Sequence, residues 1–219
     1  MAKLSVDLII FDLDGTLIDS KKDIAYAVNR TLEGMDLQPI PERTVYQYVG
    51  NGVRPLIEQT LRGSGKETGI PEAIRLFQKF YTTHLLDNTV MFDGVPEILE
   101  HFQNLGKKMA VASNKPYRYV KKIMDGLNMT RFFLSVKGGD SVEMKKPAPE
   151  MLDAVINETG ADRKSSVFVG DSGIDVRTGK NARIKTVGVT YGFRSAEEIM
   201  ENKPDMLIDS PRELKEIIL

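Results

Sequence analysis

The chain contains no cysteine. That alone excludes disulfides, thiolate catalysis and Cys-ligated zinc or iron–sulfur centres. Histidine is almost as scarce, with only His84 and His101. A His-rich transition-metal site is therefore not expected, and the ligand stock favours a hard ion bound through oxygen. Charge of either sign is not in excess: 30 Lys and Arg stand against 31 Asp and Glu, a formal net charge of −1. No basic surplus points to nucleic acid or to an anionic membrane. No apolar run approaches the length of a membrane span. The opening residues, Met1 to Asp7, hold no apolar core of signal-peptide length, so the expectation is a cytoplasmic protein. There is no internal repeat and no low-complexity segment. What is present, 219 residues with 41% hydrophobic and 28% charged content, suits a globular chain with one core and an insertion, or two small domains.

The most informative stretch is Leu8 to Ser20. Val6 to Phe11 is an apolar run broken only by Asp7, short and rich in β-branched residues, which reads as a buried strand. Asp12 and Asp14 follow at once, then Gly15 and Thr16. Acids in that place sit at the carboxyl end of a sheet, where open α/β folds bind ligands. Two like charges so close repel, and one pKa must rise unless a cation intervenes. Mg²⁺ suits a site of one or two carboxylates plus a phosphate. An acidic surface turn would also use Asp and Gly, but it does not account for the buried strand in front.

After Ser20 the period becomes helical. Ile24, Val28, Leu32 and Met35 mark one helix, Glu42 to Val49 a second, Leu56 to Leu61 a third and Pro71 to Asp87 a fourth. Residues 18–90 hold no convincing strand, so they read as an all-helical insertion after the first strand. From Gly94 onward strands and helices alternate. Strands are expected at Lys108–Ser113, Phe132–Val136, Ser166–Gly170, Lys185–Val189 and Met206–Ile208, with helices near 95–105, after Pro116, at 147–159 and at 175–182. Short connections between such elements imply a parallel sheet with helices on both faces.

Three further strand ends or helix starts carry polar residues. Ser113-Asn114-Lys115 precedes a helix that Pro116 opens; a hydroxyl there can meet an anion at the helix N-terminus or simply cap the helix. Lys145-Lys146-Pro147-Ala148-Pro149 starts another helix, and a lysine pair in such a place is commonly just solvated. Gly170-Asp171-Ser172-Gly173-Ile174-Asp175 repeats the pattern of a buried strand running into a carboxylate; an Asx turn would explain one of the two acids. Gly63-Ser64-Gly65-Lys66 is a decoy for a phosphate loop, since Thr60 and Glu67 stand where Gly and Ser or Thr are required and no strand precedes.

Asp12-Leu13-Asp14-Gly15-Thr16 resembles the first signature of the haloacid dehalogenase superfamily, and Ser113, Lys146-Pro147-x-Pro149 and Gly170-Asp171-x-x-x-Asp175 resemble the other three, in the same order. The resemblance implies a Rossmann-like core, residues 1–17 and 91–219, and a helical cap, residues 18–90. It implies Mg²⁺ held by Asp12, the carbonyl of Asp14 and Asp171. It makes Asp12 the nucleophile, Asp14 the general acid and base, Ser113 and Asn114 phosphate-binding, Lys146 rather than Lys145 the charge-neutralising lysine, and Asp175 an acid that orients the metal water or Lys146. The acid at Asp14 places the chain with the phosphatases and not with the metal-free dehalogenases.

Asp19-Ser20-x-x-Asp23-Ile24, Gly50-Asn51-Gly52 and Thr190 to Arg194 resemble the phosphoglycolate phosphatase group most. The alternatives are a pyrophosphatase, a sugar-phosphate phosphatase or phosphohexomutase, and, in another class, a non-catalytic binding protein on the same fold. The expected partner is a small phosphorylated metabolite, acted on by a monomer or homodimer. If that metabolite carries a carboxylate, Gly50, Asn51, Gly52 and Arg54 are the candidates to meet it.

Overall fold

The computed structural model describes residues 3–219. β1 (Leu8–Phe11) is buried on both faces, with Ile9 and Phe11 in one apolar cluster and Leu8 and Ile10 in the other. That is why it reads as an unbroken apolar run and not as an alternation. The chain then turns through a two-residue strand, β2 (Ile18–Asp19), into four helices: α1 (Lys21–Glu33), α2 (Glu42–Tyr48), α3 (Val53–Gly63) and α4 (Ile70–His84). It returns through β3 (Val90–Met91), which pairs antiparallel with β2. The expectation of no strand between 18 and 90 is corrected by this ribbon, which is too short to leave a periodic signal.

The return is fastened by Asp23. Its carboxylate, buried in the first turn of α1, accepts hydrogen bonds of 2.8–3.0 Å from the backbone and side chains of Asn88 and Thr89. A negative charge in that turn also complements the helix dipole.

The remainder alternates strand and helix: α5 (Val95–Asn104), β4 (Lys108–Ala112), α6 (Tyr117–Gly126), β5 (Ser135–Lys137), α7 (Glu150–Thr159), β6 (Ser166–Gly170), α8 (Gly173–Asn181), β7 (Lys185–Val189), α9 (Ala196–Glu201), β8 (Met206–Ile208) and α10 (Leu214–Ile217). The six longer strands form one parallel sheet in the order β5-β4-β1-β6-β7-β8. Apolar residues of α5, α6 and α10 cover one face, and those of α7 the other. The order reverses at β1, so the carboxyl ends of β4, β1 and β6 open onto the crevice where such sheets bind ligands.

Helix α3 runs further at both ends than Leu56 to Leu61 and α4 stops at His84, short of Asp87, and three other boundaries differ from the sequence expectations for a visible reason. Thr130–Phe132 is a 3₁₀ turn and β5 begins only at Ser135, because the N–H groups of Phe132 and Phe133 are spent inside the turn on Met129 and Thr130, and the first bond to β4 is that of Leu134 N–H to Met109. α7 begins at Glu150, after a turn in which Ala148 N–H bonds Lys145. α8 begins at Gly173, because Ser172 and Asp175 cap it reciprocally. The short helices α9 and α10 were not expected from the sequence.

Candidate active site

Asp12 sits one residue past β1. Gly15 makes the turn behind it with φ of 88°, a conformation that favours glycine. A Cβ on Gly15 would also lie 2.2 Å from Asp171 Oδ2. The strand end after β6 therefore approaches the strand end after β1 so closely that no side chain fits between them. Gly192, in the loop after β7, closes in from the other side: a Cβ there would be 2.3 Å from that of Asp171.

Carboxylate oxygens of Asp12, Asp171 and Asp175 lie within 4.8 Å of one another, and all three residues are buried. Burial first, and the charges of Asp175 and Asp14 after it, push the Asp12 carboxyl up to about 6, with Lys146 opposing. The Asp171 carboxyl is raised well above its ordinary value, by burial and then by Asp175 and Asp12, against a hydrogen bond from Phe193. Lys146 Nζ lies 2.8 Å from Asp12 Oδ1 and 2.7 Å from Asp175 Oδ1. Burial lowers the Lys146 ammonium, and the charges of Asp12 and Asp175 more than reverse that, so it stays protonated.

The three carboxylates are not equivalent. Asp175 is fully engaged, by Lys146 on one oxygen and by the Ser172 N–H and hydroxyl, at 3.1 and 2.6 Å, on the other. Asp171 uses one oxygen for the Phe193 N–H at 2.7 Å. Lys146 is the partner of Asp12 Oδ1, as an ion pair at 2.8 Å. Three buried carboxylates facing one ammonium fit a hard divalent ion better than they fit an empty protein interior.

The other residues read from the sequence fall into two groups. Ser113 and Asn114 are buried at the end of β4. The Asn114 amide donates to the carbonyls of Gly50 and Lys146, 3.2 Å each, and accepts from the Lys146 N–H at 3.0 Å. It thus ties the loop after α2 to the loop that carries Lys146. Gly50 and Gly52 line a cavity of about 50 Å³ together with Asp12, Asp14 and Ser113. Asn51 is exposed, and Arg54 points to solvent, its side chain 63% exposed and paired with Glu58 at 3.1 Å; neither lines the cavity. Lys145, set aside in favour of Lys146, is exposed.

Sequence reasoning missed Lys115, Ser20 and Arg194. Lys115 is buried, and its ammonium bonds both oxygens of Asp14 at 2.7 and 2.9 Å, while Ser20 Oγ donates to the same carboxylate. Arg194 reaches from the loop after β7 to the carbonyls of Gln47 and Val49. A lysine directly after the Ser-Asn pair, at the same strand end, was the available signal for Lys115.

An acid cluster at the switch point of a parallel sheet, with an inward lysine and helices over the mouth, makes a carboxylate-centred site on an open α/β sheet. The chain belongs to the haloacid dehalogenase-like hydrolases, whose family model matches residues 9–189, and it is an enzyme of the phosphatase kind within them. It is 35% identical over 214 residues to a phosphoglycolate phosphatase of Colwellia psychrerythraea, covering 95% of each chain. It is 37% identical over 212 residues to one of Pseudomonas syringae pv. syringae, covering 94% of this chain and 78% of that one. A crystal structure described as a predicted phosphoglycolate phosphatase from Haemophilus somnus superposes with a TM-score of 0.92 at 30% identity, over 97% of both chains.

Proposed function

We propose that the chain is a Mg²⁺-dependent phosphomonoester hydrolase that cleaves 2-phosphoglycolate through an aspartyl-phosphate on Asp12. The observation that carries this reading is Asp12: a buried carboxylate that lines a cavity at the switch point of the sheet and lies within 4.8 Å of two further buried carboxylates. The names of the relatives supply the substrate.

Asp12, Asp171 and the backbone carbonyl of Asp14 would hold the ion, which supplies positive charge against both the nucleophile and the phosphate. Asp12 Oδ1 forms the bond to phosphorus as the ester oxygen leaves. Asp14 faces the same cavity, oriented by Lys115 and Ser20. It gives a proton to the departing alkoxide and then takes one from the water that cleaves the acyl phosphate. Lys146 and the Ser113 hydroxyl neutralise charge on the remaining phosphate oxygens. Asp175 does not react; it holds Lys146 in place.

The size of the cavity favours a small leaving group. Its 50 Å³ corresponds to only a few waters at roughly 10–15 Å³ of such space each. A two-carbon alcohol is a leaving group of that scale. Closure of the helical body, residues 18–90, over the strand ends would keep bulk water out during transfer. The test is phosphate release from 2-phosphoglycolate, a hexose phosphate and pyrophosphate, each with Mg²⁺. No preference for 2-phosphoglycolate would reject the substrate, and no release from any would reject the activity.

A further inference from the structure

A carboxylate on the leaving group needs a partner a few ångströms from phosphorus, and Arg54 does not supply one. Among the described residues, five buried side-chain atoms have no hydrogen-bond partner: Asp12 Oδ1, the hydroxyls of Thr16, Thr60 and Tyr81, and Asp153 Oδ1. Only Asp12 and Tyr81 line the cavity. One of these oxygens is accounted for by the Lys146 ion pair and the chemistry at phosphorus. The other, at the side of α4, is not used by any step above.

Tyr81 is 2% exposed, stacked on Phe77 at 5.2 Å and edge-on to Tyr119 at 5.2 Å, so its ring is held rigidly. Lys115 Nζ lies 5.0 Å from the centre of that ring. An ammonium has three N–H donors, of which Asp14 takes at most two. Lys115 is also the only cation among the residues that line the cavity; much of the rest of the wall is apolar, from Ile24, Val49, Val53, Leu56 and Phe77. The Tyr81 oxygen can accept the third N–H of Lys115, but its own O–H finds no acceptor, and an apolar cavity that sets a buried ammonium beside a hydroxyl proton with nowhere to go is built for an acceptor that neither protein group provides.

We propose that the Tyr81 hydroxyl and the Lys115 ammonium together form the subsite for the carboxylate of the leaving group, which makes Tyr81 the residue that sets specificity. This rests on the reading of the substrate as 2-phosphoglycolate. Lys115 serves two carboxylates, that of Asp14 and that of the substrate, so the second anion sits directly beside the proton donor. Tyr81 serves only the substrate. An ester of the same size with an uncharged leaving group gives the hydroxyl proton no acceptor, and a site built to hydrogen-bond a group rejects analogues that lack it.

Tyr81→Phe separates the roles, because it keeps the ring and its packing, leaves Lys115 on Asp14, and removes only the hydroxyl. Rates on 2-phosphoglycolate and on ethyl phosphate, its analogue without the carboxylate, are compared with Mg²⁺ present. The variant should lose about tenfold or more in kcat/KM on 2-phosphoglycolate, the loss expected for a hydrogen bond to a charged group, and stay within about twofold on ethyl phosphate. A readout independent of turnover is calorimetric binding of 3-phosphonopropionate against propylphosphonate, which cannot be hydrolysed. Only the former should weaken in the variant. A wild-type enzyme that treats both esters alike overturns the substrate reading and the subsite with it. A wild-type preference that survives intact in Tyr81→Phe overturns the subsite alone.

Discussion

Asp23→Ala should destabilise the protein by more than substitutions at the exposed helix and turn positions nearby, and the amount follows from who its partners are. The carboxylate serves four donors: the N–H and side-chain amide of Asn88, and the N–H and hydroxyl of Thr89. Asn88 is exposed, so water can replace Asp23 for both of its groups. Thr89 is 3% exposed and cannot reach water. Two buried donors left without an acceptor cost about 1–3 kcal/mol each, giving roughly 3 kcal/mol as a central value after partial relaxation. For a chain of this length that lowers Tm by about 6–12 °C. Asn88→Ala is the control. It removes one solvent-accessible donor and leaves the carboxylate with the others, so its cost should stay below about 1 kcal/mol. Thermal and urea unfolding of wild type and the two variants measure this directly. If Asp23→Ala unfolds within about 1 kcal/mol of wild type, the carboxylate is not what fastens the return of the chain, and the argument from buried donors is wrong.

Other outcomes are expected at the site. Asp12→Asn should abolish turnover while leaving circular dichroism unchanged, since an amide is a poor nucleophile; full activity in that variant would dispose of the covalent route. Chelation with EDTA should remove activity, Mg²⁺ should restore it and excess Ca²⁺ should inhibit, because Ca²⁺ takes more ligands at longer distances; unchanged rates in metal-free enzyme would contradict the reading of the acid cluster. Arg54→Ala should leave kcat/KM on 2-phosphoglycolate within about twofold, because the exposed pair with Glu58 is worth only about 0.3–0.5 kcal/mol; a tenfold loss confined to that substrate would return Arg54 to the site.

The parts of this protein that can be read from sequence are those where local pattern and tertiary role coincide. β1 and β6 are buried on both faces, and each runs straight into an acid, so both the strands and the acids stand out in one dimension. β5 does not: Phe132 and Phe133 lie in and beside a 3₁₀ turn, and the strand proper is Ser-Val-Lys, with little to mark it. Arg54 illustrates a different limit. Its place in the first turn of α3 was visible, but which side of the helix meets the core depends on how α3 packs, and Leu56, Ile57 and Leu61 turn Arg54 outward. Lys115 was hidden by its neighbours, since a lysine before Pro116 looks like ordinary surface until the sheet brings Asp14 to it. Tyr81 looked like one more apolar position of α4, and nothing in its spacing tells that its hydroxyl proton has no acceptor.

The β2–β3 ribbon has a consequence for how such a chain can change over time. Phe92 N–H bonds Leu17 O at 3.1 Å, just outside the pairing of Ile18 with Met91, so the chain departs from the sheet and rejoins it at a single point. The sheet needs only that these two ends meet. The entropy of closing whatever lies between them grows logarithmically, about 0.6 kcal/mol for each doubling of length. A shorter or longer body could hang from the same two residues at little expense to strand order or register. Inheritance can therefore treat the intervening segment as an exchangeable cassette, and new substrates need not wait for new chemistry.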